Sequence, residues 1–142
     1  MGRETTTRPG MTGLGARVHL FVRPETRERF VALFRDVLDC TVVELDFGTG
    51  QPILLVRFGD GSSFSVETSE LAPAETASEK LTDDSAFRGA WIEFRTGDVA
   101  GYTSRLAAAG IPHFRHPGSN HTYFSAPGGQ VFRLLDNAYV GP

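Results

Sequence analysis

The sequence predicts an α+β fold of two βαβββ halves, and three observations predict it. The same order of elements runs twice, on either side of a segment, residues 69–88, that has neither strand nor helix periodicity. Each half holds one stretch with apolar residues at helical spacing. Short stretches rich in β-formers, punctuated by Gly and Pro, surround both. Neither half could cover both faces of its own sheet, so the two halves should pack as one unit.

Residues 17–22 read as the first strand. Pro24 follows where the first residue of a helix is favoured. From Glu25 to Leu38, the residues Phe30, Val31, Phe34, Val37 and Leu38 make one apolar stripe beside Arg27, Glu28 and Arg35. Residues 41–47, 53–58 and 63–68 read as strands, with Gly48, Gly50 and Pro52 marking one turn and Asp60 and Gly61 a hairpin. In the second half, residues 90–96 form a strand and Asp98 is a good helix N-cap. Val99, Tyr102, Leu106 and Ala109 then share a helix face that stops at Gly110. Residues 112–116, 122–125 and 131–135 are three short strands, separated by Pro117 and Gly118 and by Pro127, Gly128 and Gly129.

Composition bounds the function. A chain of 142 residues with 40% hydrophobic content can build one real core. A net charge of -3 gives no footprint for nucleic acid or an anionic membrane. No apolar run approaches the roughly 18 residues that a membrane helix needs. Residues 1–15 are rich in Thr and Gly, carry Arg3 and Arg8, and lack an apolar core, so they read as a flexible tail rather than a signal peptide. Residues 16–142 then form the single domain, with modules at about 16–68 and 89–137 and a connector at 69–88. The single cysteine, Cys40, excludes an internal disulfide and fits the cytoplasm; it reads as a small buried residue behind the first helix.

Three stretches resemble a known family. Leu33-Phe34-Arg35-Asp36-Val37-Leu38-Asp39 is similar to the end of its first helix, with Asp39 where Gly is usual. Arg105-Leu106-Ala107-Ala108-Ala109-Gly110-Ile111 is similar to its second helix. Ala126-Pro127-Gly128-Gly129-Gln130-Val131-Phe132 is similar to its last hairpin. In this order they resemble the vicinal-oxygen-chelate superfamily: glyoxalase I, bleomycin-resistance proteins and extradiol dioxygenases. The resemblance implies a curved mixed sheet forming a cup, with helices on the outer face and a divalent metal held by the first and last strands of each module. It places Arg17, Glu67, Trp91 and Arg133 on those strands. Of these only Glu67 is a ligand type, since Arg and Trp donate but do not ligate. The implied metal site is therefore degenerate, and no cofactor is expected.

Strand alternation puts Arg17, His19, Phe21, Ser65, Glu67, Trp91, Glu93, Arg133 and Leu135 on the cup face. Val18, Leu20, Val22, Phe64, Val66, Ile92, Phe94, Phe132 and Leu134 fall on the other face, which is apolar enough to lie under the helices. The expected ligand-binding set is Arg17, His19, Phe21, Glu67, Trp91, Glu93, Tyr123 and Arg133. Glu67 and Glu93 could simply neutralise Arg17 and Arg133, or an arginine could stay free to fork onto a ligand carboxylate or phosphate. Trp91 either fills the cup or stacks on the ligand. His19, Glu67 and Glu93 are the alternative, a shifted site for a divalent metal. His113, His116 and His121 match no zinc spacing and read as loop histidines; no catalytic residue is assigned.

The reading is a small-molecule-binding protein, sequestering or resistance-type, with no nucleic-acid or membrane partner. One alternative is a metal-dependent lyase, isomerase or dioxygenase. The other is a structural or partner-binding domain with a filled cup. Family cups are often completed by a partner chain, so a homodimer is expected, side by side or with exchanged modules.

Overall fold

The computed structural model describes residues 10–48, 50, 52–74, 89–115 and 120–141. The first nine residues of the expected tail, most of the connector, and His116 with Pro117 and Gly118 lie outside the described residues. The first half runs β1 (His19–Val22), α1 (Arg27–Ala32), β2 (Thr41–Leu45), β3 (Ile53–Arg57) and β4 (Ser63–Thr68). The second runs β5 (Ile92–Thr96), α2 (Val99–Ala108), β6 (His113–Arg115), β7 (Thr122–Ser125) and β8 (Val131–Asp136). The strands form two four-stranded mixed sheets, ordered β1-β4-β3-β2 and β5-β8-β7-β6. Both are open, consistent with a curved cup. In each, the first strand runs parallel to the last, while the remaining pairs are antiparallel.

The helix expected over 25–38 is three segments. Pro24–Thr26 is a 3-10 turn, Arg27–Ala32 is α-helical, and Leu33–Val37 widens into a π turn. Phe34 stays fully buried through the widened turn, which lets the Cys40 N–H reach back to the Phe34 carbonyl at 2.8 Å. Asp39 then takes φ 61°, a left-handed conformation that Asp tolerates better than most residues. The second helix follows expectation: the Asp98 carboxylate accepts from the Gly101 N–H at 2.9 Å.

Alternation decides what each sheet buries. Leu54, Val56, Phe64 and Val66 of the first sheet and Phe94, Phe124, Phe132 and Leu134 of the second all enter one core with Phe30, Phe34 and Leu106. Phe34 meets Phe64 at 5.2 Å and Phe132 at 5.3 Å between ring centroids, and Phe58 meets Phe94 at 5.4 Å. The Phe34–Phe132 and Phe58–Phe94 contacts cross from one half to the other, so the halves share a core. The Gln130 amide donates to the Phe21 carbonyl at 3.0 Å and ties the last hairpin to β1. Gly128 permits this approach: at φ 104°, a Cβ there would sit 3.1 Å from Val22.

Candidate functional site on the concave faces

With the apolar faces spent on the core, the opposite faces of the two sheets carry the expected site residues, in two groups. On the first sheet, His19 lies opposite Ser65 and Phe21 opposite Glu67 in the parallel β1–β4 register. His19 Nε2 is 2.6 Å from Glu67 Oε1, and Nδ1 is 2.6 Å from Ser65 Oγ. The Phe21 ring stands edge-on to His19 at 5.0 Å and is 46% exposed.

On the second sheet, Arg133 lies opposite Glu93 on one side and Tyr123 on the other. Its guanidinium sits 4.0 Å from the Trp91 ring centroid, a cation–π geometry. One terminal nitrogen reaches Glu93 at only 3.4 Å. Its Nε is buried with no hydrogen-bond partner, in a residue 7% exposed. Tyr123 is buried between Trp91 and Phe114, with ring centroids 6.2 and 6.1 Å away. Trp91 is expected inside a strand, but β5 begins one residue later, so Trp91 covers Arg133 from outside the ladder and is 40% exposed.

Of the pairing expected among Arg17, Glu67, Glu93 and Arg133, only the contact between Glu93 and Arg133 forms. Arg17 precedes β1 and is exposed. Glu67 goes to His19, and Glu93 divides between Arg95 and Arg133. The reason is reach along the strand: Arg95 is on the same face two residues after Glu93 and meets it at 3.3 Å. This also takes Glu93 away from a His19–Glu67–Glu93 metal set. Among the described residues no three His, Cys, Asp or Glu converge on one point. Two contacting ligand types, His19 and Glu67, fall short of the three protein ligands usual in a catalytic zinc site. The described residues therefore do not by themselves fit a metal centre of that kind.

His113 and His121 are placed elsewhere. His121 packs edge-on against Tyr139 at 4.9 Å, and His113 approaches the Ile111 carbonyl at 3.4 Å. Cys40 is buried, and that burial, with the nearby Asp39 charge, pushes its thiol up to about 12, so it is inert as a nucleophile. Sequence reasoning missed one polar cluster altogether. The Asp39 carboxylate accepts from Tyr102 Oη–H at 2.9 Å and from both terminal nitrogens of Arg105, at 2.6 and 3.0 Å. It joins the first helix end to α2; the departure from Gly at position 39 was its only sequence signal. A half-open cleft of about 470 Å³ lies next to this cluster, between Leu38, Cys40, Phe58, Phe94 and Tyr102, and includes neither His19 nor Arg133.

No family model matches the sequence, and no curated protein matches it. Solved structures do match. A point mutant of the fosfomycin resistance protein FosX from Listeria monocytogenes, complexed with Mn(II) and a dihydroxypropylphosphonic acid, is 16% identical over 87% of this chain and 92% of that one, with a TM-score of 0.59. A possible glyoxalase from Bacillus cereus is 15% identical over 87% and 99%, with a TM-score of 0.56. TnmS3, an antibiotic-binding protein from a Streptomyces species, is 15% identical over 89% and 98%, with a TM-score of 0.57. The Mn(II) in the Listeria protein corrects the expectation that no cofactor belongs here. That expectation counted ligand types at four strand positions of one chain, whereas the neighbour shows that this fold carries a divalent ion. These neighbours belong to the vicinal-oxygen-chelate superfamily, and this chain has its fold.

Proposed function

We propose that residues 16–142 form a small-molecule-binding domain of sequestering or resistance type, whose ligand gives an anionic group to Arg133 and a flat apolar body to Trp91 and Tyr123. One observation carries this reading: an arginine only 7% exposed whose buried Nε has no partner. A buried unsatisfied donor costs roughly 1–3 kcal/mol. A carboxylate or phosphonate fork removes that cost, because the planar guanidinium matches such groups with two parallel bonds. Trp91 lies outside the strand ladder, so it can swing away and restack on the ligand. The phosphonate bound by the Listeria neighbour and the antibiotic bound by TnmS3 support the class of ligand. We further propose a cytoplasmic homodimer, on the free Cys40 and on the open first sheet; light scattering that shows a concentration-independent monomer would remove the dimer.

A second reading is favoured by the burial of Tyr123, Arg133 and Leu135, which leaves the second concave face filled. On that reading Trp91 is a structural cap. Thermal melts with a panel of aromatic carboxylates and phosphonates separate the two. Binding raises the melting temperature of the native protein, and Arg133→Met and Trp91→Ala abolish the rise. A panel that shifts nothing leaves the filled cup standing.

A further inference from the structure

We propose that the half-open cleft beside the Asp39 cluster is a second binding site, and that it takes an organic cation: an ammonium or guanidinium carried on a compact apolar body. At about 470 Å³ the cleft has the size of a small-molecule site. It lies where the two halves meet, between the end of the first helix and the β3–β4 hairpin on one side and β5 with α2 on the other. It shares no residue with the group of Trp91, Tyr123 and Arg133, so it stands or falls apart from the anion reading.

The walls are aromatic. Phe94, buried, stands between Phe58 at 5.4 Å and Tyr102 at 5.8 Å, and each pair of rings meets at 68°. The two flanking rings are only half-buried, which leaves part of their surface to the cleft. Aromatic faces carry negative partial charge and attract a cation. The chain already shows this chemistry on itself. The Arg105 guanidinium lies 5.2 Å from the Tyr102 ring centroid while both its terminal nitrogens bond Asp39.

Charge selects the sign of the ligand. Asp39, Asp60 and Glu93 line the cleft, against Arg95. Asp39 is held by Arg105, and Glu93 by Arg95 and Arg133. Arg95 is itself spent, on Glu93 at 3.3 Å and on the Tyr139 carbonyl at 3.0 Å. Asp60 is left over. Its Oδ1 accepts from the Ser62 N–H and hydroxyl, and among the described residues no cation pairs with it. An uncompensated carboxylate on the rim of a cleft with apolar walls concentrates cations and repels anions. A neutral ligand would leave Asp60 unanswered.

The test uses the full chain and three probes of one shape but different charge: phenethylammonium, 2-phenylethanol and phenylacetate. Each is titrated at low ionic strength and followed by backbone amide chemical shifts. Phenethylammonium is expected to move the amides of Gly59, Asp60, Gly97 and Tyr102. It should bind more tightly than 2-phenylethanol by roughly threefold to fivefold, the worth of an exposed charge pair, and the preference should fade in high salt. Phenylacetate should leave these amides in place. Asp60→Asn keeps an oxygen for the bonds from Ser62 and should erase the preference for the ammonium over the alcohol. Phe58→Leu, with a melting temperature near native, should weaken the ammonium by about threefold. Equal binding of ammonium and alcohol, a preference for phenylacetate at the cleft amides, or a full preference for the ammonium in Asp60→Asn overturns the proposal.

Discussion

The β1–β4 sheet and the β5–β8 sheet share a strand order, yet their concave faces differ. The second holds Tyr123, Arg133 and Leu135 at 3%, 7% and 3% exposure, under Trp91. The first leaves His19, Ser65 and Glu67 within reach of water. Side-chain volume makes the difference, since Trp, Tyr and Arg fill one face where two serines, Ser63 and Ser65, leave the other open. Polar satisfaction follows volume in reverse. On the open face both imidazole nitrogens are bonded, whereas the filled face leaves the Arg133 Nε orphaned. On the proposed reading, a ligand therefore gains most by satisfying the filled face.

The faces differ above a common core, and the largest effect should come from breaking that core. Phe34 is fully buried and touches Phe30, Phe64 and Phe132 across both halves. Phe34→Ala should cost about 3–5 kcal/mol by denaturant unfolding. It should do so in one transition, because neither half keeps a core of its own. Two separated transitions would mean that the halves are independent and that the contrast between faces is one between two domains.

Arg133→Met tests the filled face. Loss of the stacking on Trp91 costs up to about 2 kcal/mol in a desolvated setting. Removing the orphaned Nε returns roughly 1–3 kcal/mol. The two nearly cancel, so stability should move by less than about 1 kcal/mol while any response to carboxylates disappears. A loss above roughly 3 kcal/mol would instead mark a buried structural ion and favour the filled cup.

Much of this was legible in the sequence, and the reasons are specific. The strand faces could be assigned because Val18, Leu20 and Val22 alternate with Arg17, His19 and Phe21, and the helices because Phe30, Phe34 and Leu106 recur at helical spacing. The partners were not legible. Whether Glu93 meets Arg17, Arg95 or Arg133 depends on side-chain reach across a curved face, which alternation does not encode. Ser65 was placed on the correct face without a role, because its contact with His19 needs the parallel β1–β4 register, a pairing 46 residues apart. The clamp from Asp39 to Arg105 spans 66 residues and was hidden for the same reason.

Glu67→Gln tests the open face, and its effect should be smaller. The His19–Glu67 pair is partly exposed, and such pairs contribute roughly 0–1 kcal/mol. Both singly and combined with Arg133→Met, the substitution should act independently of the second sheet. Coupling above about 0.5 kcal/mol in a double-mutant cycle would mean that the two faces form one continuous site.

The smallest effect, and the one with a pH signature, belongs to the clamp between the helix ends. Asp39 is held below the ordinary carboxylate range first by its bonds from Arg105 and then by Tyr102. A carboxylate depressed in the folded state adds stability that is present above its unfolded value, about 3.8, and is lost as pH falls through the lower folded value. Tyr102 works on the other side. Burial, and then its bond to Asp39, raise its phenol above the ordinary 10. That contribution is present below 10 and lost as pH rises through the raised value. The clamp thus has a plateau between the carboxylate and phenol ranges. Asp39→Asn keeps the tolerance for the left-handed conformation but removes the charge, so it should lower the plateau slightly. The deficit against the native protein should shrink in acid, where native Asp39 is itself protonated, and at alkaline pH Tyr102 should ionise more readily without a bonded state to protect it. Asp39→Gly separates backbone from charge: it relieves the φ of 61° and loses the same bonds. If melts of Asp39→Asn and the native chain run parallel from pH 2 to 8, Asp39 is not tied to Arg105 in solution, and the two helix ends are joined by the shared core alone.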